Sequence, residues 1–282
     1  MNILIVGDIH GLWGTLNVLI NRKRPDLVLQ CGDFGHFPHL VELARGRDEG
    51  GMFLRPTYPQ DTAECVKLRI GQDQRVELRF CDGNHEDHDD LRNLAKGKRE
   101  AVEMAPGLFY QPRGSTLTLP DGRVVLFMGG AKSVDWQLRK EGRDWFPREQ
   151  VTAEDVADLP DKVDIVISHT APRRFPICKF EGGAKLDDVR MGLDIDPDPS
   201  REFLDQVLDR CQPSRWFFGH FHRFRTGTKS GCTWTALGSS HKPTLGPWWM
   251  WLDGTPRPET AAERKEREQL EQARKMLRSC LL

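Results

Sequence analysis

Short apolar runs recur along the chain, and several of them end next to Gly, Asp, Asn or His. Five runs have the length and the content of Ile, Leu, Val and Phe that are typical of buried strands. They lie at residues 2–6, 27–31, 76–81, 164–168 and 216–218. Between the first two, residues 12–24 place Leu16, Leu19 and Ile20 at helical spacing, and Pro25 follows. The first half of the chain is therefore predicted to form βαβ units.

The pattern changes in the middle of the chain. Residues 115–119 and 123–128 are strand-like and flank Pro120-Asp121-Gly122, a hairpin signal. We expect this hairpin to start a second sheet, which the apolar runs at 234–237 and 248–252 complete. The tryptophans of these runs are expected to cover the sheet rather than to stack on nucleic-acid bases. The predicted fold class is α/β, a two-sheet β-sandwich of mixed strands flanked by helices.

Composition is that of an ordinary enzyme. The 282 residues carry 41 Lys and Arg against 42 Asp and Glu, a net charge of −1 that gives no argument for nucleic acid or a membrane surface. The seven cysteines have no paired spacing, which favours a reducing compartment. The first apolar run is interrupted too early for a signal peptide, so we expect a cytoplasmic protein without a membrane partner.

Side chains able to bind metal ions follow the five predicted strands. The five blocks are Gly7-Asp8-Ile9-His10, Gly32-Asp33, Gly83-Asn84-His85-Glu86, Ser168-His169 and Gly219-His220-Phe221-His222. Loops at the carboxyl ends of strands in an α/β sheet meet in one crevice, so these side chains are expected to lie together. Oxygen and imidazole ligands without thiolate suit manganese, iron, zinc or nickel. There are more ligands than one ion needs, and two ions sharing a carboxylate suit an in-line displacement at phosphorus.

In this order the blocks resemble those of the calcineurin-like metallophosphoesterases, over residues 1 to about 237. The resemblance implies the same sandwich and a two-metal site. The first ion would be held by Asp8, His10, Asp33 and His222, and the second by Asp33, Asn84, His169 and His220. The resemblance also implies that His85 faces the phosphate as general acid or hydrogen-bond donor, and that Asn84 assists the phosphoryl oxygens. His220 and His222, two residues apart, would point to the same side if their backbone were extended.

Residues beside the blocks are candidates for supporting roles. Glu86 could orient one of the histidines, and His36 stands where many members of the family place an Asp that supports the catalytic His. We expect at least one of four arginines near the predicted ligands to contact the substrate phosphate. These arginines are Arg173, Arg174, Arg223 and Arg225. The segment 129–136, with Arg139 shortly after it, is expected near the mouth of the site.

The second block separates branches of the family. Gly32-Asp33-Phe34-Gly35-His36 lacks the Val-Asp-Arg-Gly that follows Gly-Asp in the protein serine/threonine phosphatases. The run 29–34 is similar to the lariat-debranching branch, but those enzymes replace the early Asp, whereas Asp8 is present here. Protein phosphatase activity is therefore not expected.

Three segments lie outside these patterns. Residues 171–200 are irregular and are either a cap over the metals or a solvated loop, and residues 47–62 are expected to form a surface insertion. Residues 259–282 have an amphipathic helical pattern, with Leu270, Leu277 and Leu281 on the apolar side. We expect two units, a metallophosphoesterase domain at 1–255 and a C-terminal helix at 256–282. The helix would dock on the domain or form a modest homodimer contact.

The sequence predicts a phosphoesterase with two divalent ions, manganese first among them, that hydrolyses diesters or monoesters. A metal-dependent nuclease acting on DNA or RNA is an alternative within the same chemistry. A non-catalytic binding module on the same fold is the alternative from another class. Degenerate members of the family usually lose ligands, and all of them are present here.

Overall fold

Two six-stranded sheets make up the framework of the protein. We describe a computed structural model, for residues 1–38, 69–70, 74–177 and 197–254. The predicted surface insertion, most of the predicted cap and the predicted C-terminal helix lie outside these residues. In the described part of the chain, no helix combines the length and the apolar content needed to cross a membrane.

The first sheet has the strand order β14-β1-β2-β5-β7-β6. Its strands are β1 (Ile3–Val6), β2 (Leu27–Gln30), β5 (Glu77–Phe80), β6 (Val102–Ala105), β7 (Leu108–Tyr110) and β14 (Trp249–Trp251). The four central strands β1, β2, β5 and β7 are parallel, and β14 and β6 are antiparallel edges. A small hairpin of β3 (Arg69–Ile70) and β4 (Gln74–Arg75) precedes β5.

The second sheet has the order β12-β13-β11-β10-β9-β8. Its strands are β8 (Thr116–Thr118), β9 (Val124–Met128), β10 (Ile165–Ser168), β11 (Arg215–Phe218), β12 (Arg225–Lys229) and β13 (Cys232–Ala236). Strands β9, β10, β11 and β13 are parallel, and β8 and β12 pair with them antiparallel at the edges. The predicted two-sheet α/β sandwich is thus confirmed.

Helices cover both outer faces. They are α1 (Trp13–Lys23), α2 (His88–Ala95), α3 (Ala153–Ala157) and α4 (Ser200–Cys211). Helix α2 begins at the N-cap Asp87, whose side chain accepts a hydrogen bond from the Asp90 amide. Helix α1 buries Leu16 and Ile20 as the spacing predicts.

Alternation along the central strands produces three apolar layers. Ile3 and Ile5 of β1 face Ile165 and Ile167 of β10 in the layer between the sheets. The intervening Leu4 and Val6 pack with α1 on the outer face of the first sheet. An equivalent layer on the second sheet packs Val166 and Trp216 against Leu204 and Leu208 of α4. Because the strands are buried on both faces, their sequences are nearly continuous apolar runs.

One predicted strand belongs to the other sheet. The run at 248–252 was expected in the second sheet, but β14 pairs with β1 of the first, with Trp251 opposite Leu4 and Trp249 opposite Val6. The prediction was wrong because an apolar run encodes burial without encoding its partner. The tryptophans of β14 are partly buried against the outer layer of the first sheet, which agrees with a covering role.

Candidate metal centre and active site

The five blocks meet at one edge of the sandwich, where the parallel strands of both sheets end. Hydrogen bonds connect the sheets at this edge. The Ser240 amide, just after β13 of the second sheet, donates to the Asp8 carbonyl beside β1 of the first at 2.9 Å, and the His220 amide donates to the Asp8 carboxylate. Side chains from strands far apart in sequence thus share one crevice, as expected for this class of sheet.

The first cluster consists of Asp8, His10, Asp33 and His222, whose ligand atoms all lie within 4.8 Å of one another. His222 Nε2 is 3.0 Å from Asp8 Oδ2 and 3.0 Å from His10 Nε2. His10 Nε2 is 3.5 Å from Asp33 Oδ2. These are the residues that the resemblance assigns to the first ion.

The second cluster surrounds the side-chain oxygen of Asn84. His169 Nε2 and His220 Nδ1 each lie 3.0 Å from Asn84 Oδ1. His169 Nε2 is also 3.3 Å from Asp33 Oδ1. Asp33 therefore contributes one carboxylate oxygen to each cluster, which is the position of a bridging ligand.

The donor atoms fit divalent metal ions. In the first cluster two imidazole nitrogens face each other beside two buried carboxylates, and the second cluster combines imidazole nitrogen with carboxylate and amide oxygen. Such a mixture of nitrogen and oxygen suits transition metals or zinc.

His169 is fixed in the tautomer that a ligand needs. Its Nδ1 lies 2.8 Å from the Cys31 carbonyl oxygen, which can only accept, so Nδ1 carries a proton. Nε2 then points its lone pair towards Asn84 and Asp33 when the ring is neutral. Without metal, burial works to lower the pKa of His169, but the Asp33 carboxylate outweighs it and raises the pKa to about 10. Metal binding at this nitrogen must therefore displace a proton.

Four candidate ligands have a left-handed backbone. They are His10 (φ 44°), Asp33 (φ 54°), His220 (φ 65°) and His222 (φ 52°). Of the other non-glycine residues with positive φ in the described ranges, Arg24, Lys96 and Gln212 are helix C-caps and Ser230 lies in the turn between β12 and β13. The two histidines of the last block are thus not extended, so the rule that residues two apart on an extended backbone share a side does not apply to them. Such strain concentrates at functional sites.

Two glycines of the blocks are required by close approach. A Cβ on Gly83 would lie 2.2 Å from Asp33 Oδ1, and one on Gly219 would lie 1.8 Å from Asp8 Oδ1. Both distances are far inside van der Waals contact. The backbone therefore passes directly against each carboxylate, and only glycine leaves room for it.

Main-chain amides hold the Asp33 carboxylate. Its Oδ1 accepts from the amides of Asn84 at 2.9 Å and His85 at 2.8 Å. Burial works to raise the pKa of Asp33, but the neighbouring His169, His85 and His10 hold it well below its usual range. The carboxylate is therefore ionised and ready to act as a ligand.

Glu86 connects two of the loops. Its carboxylate accepts from the Gly35 amide at 2.9 Å and from the Gly83 amide at 2.5 Å. Burial, reinforced by the Asp33 charge, raises the pKa of Glu86 to about 8. In these contacts Glu86 positions the backbone of the Asp33 and Asn84 loops, rather than a histidine as predicted.

His36 contacts helix α2. Its Nε2 is 2.7 Å from Asp90 Oδ2, and its carbonyl accepts from the Asp87 amide at 2.7 Å. The ring nitrogen of His85 is contacted instead by Arg139, whose Nη2 lies 2.9 Å from His85 Nε2. The same Nη2 is 2.6 Å from Asp135 Oδ1. Arg139, which was expected near the mouth of the site together with the segment 129–136, thus contacts the ring of the candidate catalytic histidine.

His85 lies against the first cluster. Its ring centroid is 4.8 Å from that of His10, at nearly a right angle. Burial lowers the pKa of His85 well below its usual range, and the Asp33 charge only partly opposes this. Because the guanidinium of Arg139 can only donate, His85 Nε2 is the acceptor of this hydrogen bond and carries no proton.

Three of the four predicted phosphate arginines have other partners in the described structure. Arg173 pairs with Glu202 of α4, and Arg174 pairs with Asp209 and Asp205 of the same helix. Arg225 donates to the Ile177 carbonyl at 2.8 Å, and Arg223 is exposed. None of these contacts places a guanidinium on a candidate ligand, and a role in substrate binding stays a prediction.

Three further residues lie at the site. Ser133 belongs to the segment expected near the mouth, whereas no role at the site was expected for Glu149 or His241. Asn84 Nδ2 donates to Ser133 Oγ at 3.0 Å, and Ser133 Oγ donates to Glu149 Oε2 at 2.6 Å. The exposed His241 stacks edge-on to His10 at 5.2 Å between centroids. No spacing rule links these residues to the five blocks, because they reach the site only through tertiary packing.

A two-sheet sandwich with Asp, Asn and His side chains at the carboxyl edge of its parallel strands defines a class of metal-dependent phosphoesterases. The sequence profile of the calcineurin-like phosphoesterases matches residues 1–224. The chain therefore belongs to the calcineurin-like phosphoesterase family.

Individual relatives are distant. A lariat debranching enzyme of Schizosaccharomyces pombe is 23% identical over 241 residues, covering 79% of this chain and 48% of that protein. One of Drosophila pseudoobscura pseudoobscura is 26% identical over 272 residues, covering 88% of this chain and 45% of that protein. The chain thus spans less than half the length of these relatives. Among solved structures, the phosphopantetheinyl hydrolase of Mycobacterium tuberculosis has a TM-score of 0.43 at 14% identity, over 92% of this chain and 98% of its own.

Proposed function

We propose that the protein is a hydrolase of phosphodiesters that uses two divalent metal ions. The observation that carries this proposal is Asp33, whose two carboxylate oxygens face the two ligand clusters. Asp8, His10 and His222 would complete the first site, and Asn84, His169 and His220 the second. Divalent ions held there would supply a water of lowered pKa and positive charge for the phosphoryl oxygens.

The protein's own groups would act on the substrate around these ions. His85 stands beside the first cluster without belonging to it, and its imidazole would hydrogen-bond a phosphoryl or leaving-group oxygen. A bound phosphate next to the ring would favour the protonated form, which a general acid requires. The main-chain amides of Asn84 and His85 donate to the Asp33 carboxylate and would hold it in one orientation during the reaction.

Diesters are favoured over monoesters by the relatives. Two lariat debranching enzymes align with most of the chain, and their activity opens a phosphodiester. Asp8, which the debranching branch replaces, argues for a different substrate within the same reaction. A nuclease acting on DNA or RNA is the second candidate, and the same relatives support it.

Further proposals complete this assignment. Manganese is proposed as the native metal because the clusters mix carboxylate oxygen with imidazole. A cytoplasmic location is supported by the buried, unpaired thiols of Cys31, Cys81, Cys211 and Cys232. Residues 1–255 would form the catalytic domain, and the segment 256–282 would form a helix that docks on it or on a second copy.

One assay tests the function. The purified chain, loaded with manganese, is given bis-p-nitrophenyl phosphate, p-nitrophenyl phosphate, cyclic nucleotides and single-stranded DNA and RNA. We expect metal-dependent hydrolysis of the diester at a higher kcat/KM than the monoester. Cleavage confined to DNA or RNA would favour the nuclease. No hydrolysis of any substrate, with no metal retained on elemental analysis, would favour a binding module.

A further inference from the structure

The guanidinium of Arg139 is held at the active site from two sides. Its Nη2 contacts both Asp135 Oδ1 at 2.6 Å and His85 Nε2 at 2.9 Å. Only 10% of the side chain is exposed, so the charged end faces inward. Arg139 follows the short 3-10 turn Trp136–Leu138, and Trp136 stacks on Trp145 at 5.2 Å between centroids. The turn that presents the guanidinium is therefore fixed by packing.

Two other buried arginines of the described structure use their guanidinium groups in contacts with the protein itself. Arg113 forms a buried ion pair with Asp82 and donates to three main-chain carbonyls, those of residues 148, 149 and 150. Arg201 donates to the carbonyls of Ala171 and Pro172. These contacts point both side chains into the protein frame, whereas Arg139 contacts a candidate catalytic residue.

The contacts of Arg139 leave part of its guanidinium able to bind an anion. Arginine donates five hydrogen bonds and accepts none, and it binds phosphate with paired donors. One nitrogen of the guanidinium, Nη2, donates to both Asp135 and His85, whereas Nη1 reaches only the Asp144 carbonyl, at 3.4 Å. The Asp135 carboxylate holds the guanidinium in place but contacts only one of its nitrogens. A phosphate next to His85 would find unused donors on the same guanidinium.

We propose that Arg139 binds a non-bridging phosphoryl oxygen of the substrate, and so sets the position of the phosphate relative to His85. This inference rests on the proposed phosphoesterase function. Its ligand is the phosphoryl group itself, common to diester, monoester and inorganic phosphate. Asp135 keeps the guanidinium oriented towards the position that the phosphoryl oxygen would take beside His85.

The test compares Arg139→Met, which keeps the length but loses the charge, with Arg139→Lys. The matched control is Arg148→Met, an exposed arginine of the turn Pro147–Glu149 whose ion-pair partner, Asp89, lies 3.8 Å away. Each manganese-loaded variant is assayed for KM and kcat with bis-p-nitrophenyl phosphate. Inorganic phosphate binding is measured by titration calorimetry, and metal content and melting temperature are recorded.

We expect phosphate affinity and kcat/KM to fall about 10- to 100-fold in Arg139→Met, the range for a lost hydrogen bond to a charged group. Arg139→Lys should lose less, Arg148→Met less than twofold, and metal content should not change. Guanidinium ion added to Arg139→Ala should recover part of the phosphate affinity, which a purely structural role would not allow.

The failures of the two proposals are distinguishable. Wild-type affinity for phosphate in Arg139→Met, or an equal loss in Arg148→Met, would overturn the role of Arg139 while leaving the hydrolase intact. A wild-type protein that binds phosphate through Arg139 but hydrolyses no phosphoester would overturn the function alone. A metal-loaded wild type that neither binds phosphate nor hydrolyses an ester would overturn both.

Discussion

Ser133 Oγ accepts a hydrogen bond of 3.0 Å from Asn84 Nδ2. The hydroxyl has one proton, which it donates to Glu149 Oε2, so it can only accept from the asparagine. Asn84 is therefore held with its amide nitrogen towards Ser133 and its oxygen towards His169 and His220. Ser133 and Glu149 thus determine which end of the amide is offered as a metal ligand.

Ser133→Ala is expected to weaken the second metal site. Without the hydroxyl, the amide of Asn84 loses the partner that fixes its orientation, and loss of such an outer partner typically costs about 10- to 100-fold in metal affinity or activity. Manganese titration and kcat/KM measure the effect. The control is Ser115→Ala, which removes another buried hydroxyl hydrogen bond, from Ser115 Oγ to Gln111. Equal metal affinities in the two variants would contradict the orienting role.

Asp33→Asn and His85→Ala should both abolish most of the turnover, but for different reasons. Asp33 lies at both clusters, so loss of its charge should release metal. His85 lies outside them, so His85→Ala should keep its metal and lose about 100-fold or more in kcat, the range for a general acid. The loss should be larger for an alkyl ester than for a p-nitrophenyl ester. Full activity of His85→Ala on the alkyl ester would rule out the acid role.

Backbone strain at His222 predicts an unusual stability order. At φ 52° a Cβ costs about 1–2 kcal/mol that glycine does not pay. In metal-free protein, His222→Gly should therefore be more stable than His222→Ala by about 1 kcal/mol, as measured by urea unfolding with chelator. Both variants lose the contact between His222 and Asp8, so this loss does not affect the difference in stability between them. The control is the neighbouring Phe221, where the alanine variant should be the more stable; the same order at both positions would argue against strain at His222.

The sequence predicts the two-sheet framework and the candidate ligands better than it predicts the residues that hold those candidates in place. Asp8, Asn84 and His220 can be recognised in the sequence because each follows a strand whose apolar residues predict that it is buried. Ser133 and Arg139 belong to a segment without periodicity, and packing of the whole domain brings them to Asn84 and His85. The left-handed backbone at His220 also depends on tertiary contacts, since its amide donates to the Asp8 carboxylate.

The buried ion pair of Arg113 and Asp82 should be essential for folding. Arg113 Nε and Nη2 donate to Asp82 Oδ2 at 2.9 and 2.6 Å, and both side chains are almost fully buried. Removing one partner leaves an uncompensated charge, so Arg113→Met should cost about 3–5 kcal/mol of unfolding free energy. The double variant Arg113→Met with Asp82→Asn should recover part of the loss. Chemical denaturation of both measures this, and an equal or larger loss in the double variant would contradict the pairing.

Glu149 should make stability depend on pH. Burial raises its pKa from the usual 4.5 to about 7, although Ser133 donates to the carboxylate. Between these values the folded protein binds a proton that the unfolded chain lacks, so stability falls as pH rises through this window, by about 3 kcal/mol in total. Glu149→Gln removes the titrating group and should flatten the profile. Urea unfolding of the metal-free protein between pH 5 and 8 measures the difference from wild type, with the exposed Glu154→Gln as control. Parallel profiles for wild type and Glu149→Gln would show that Glu149 stays ionised in its buried position.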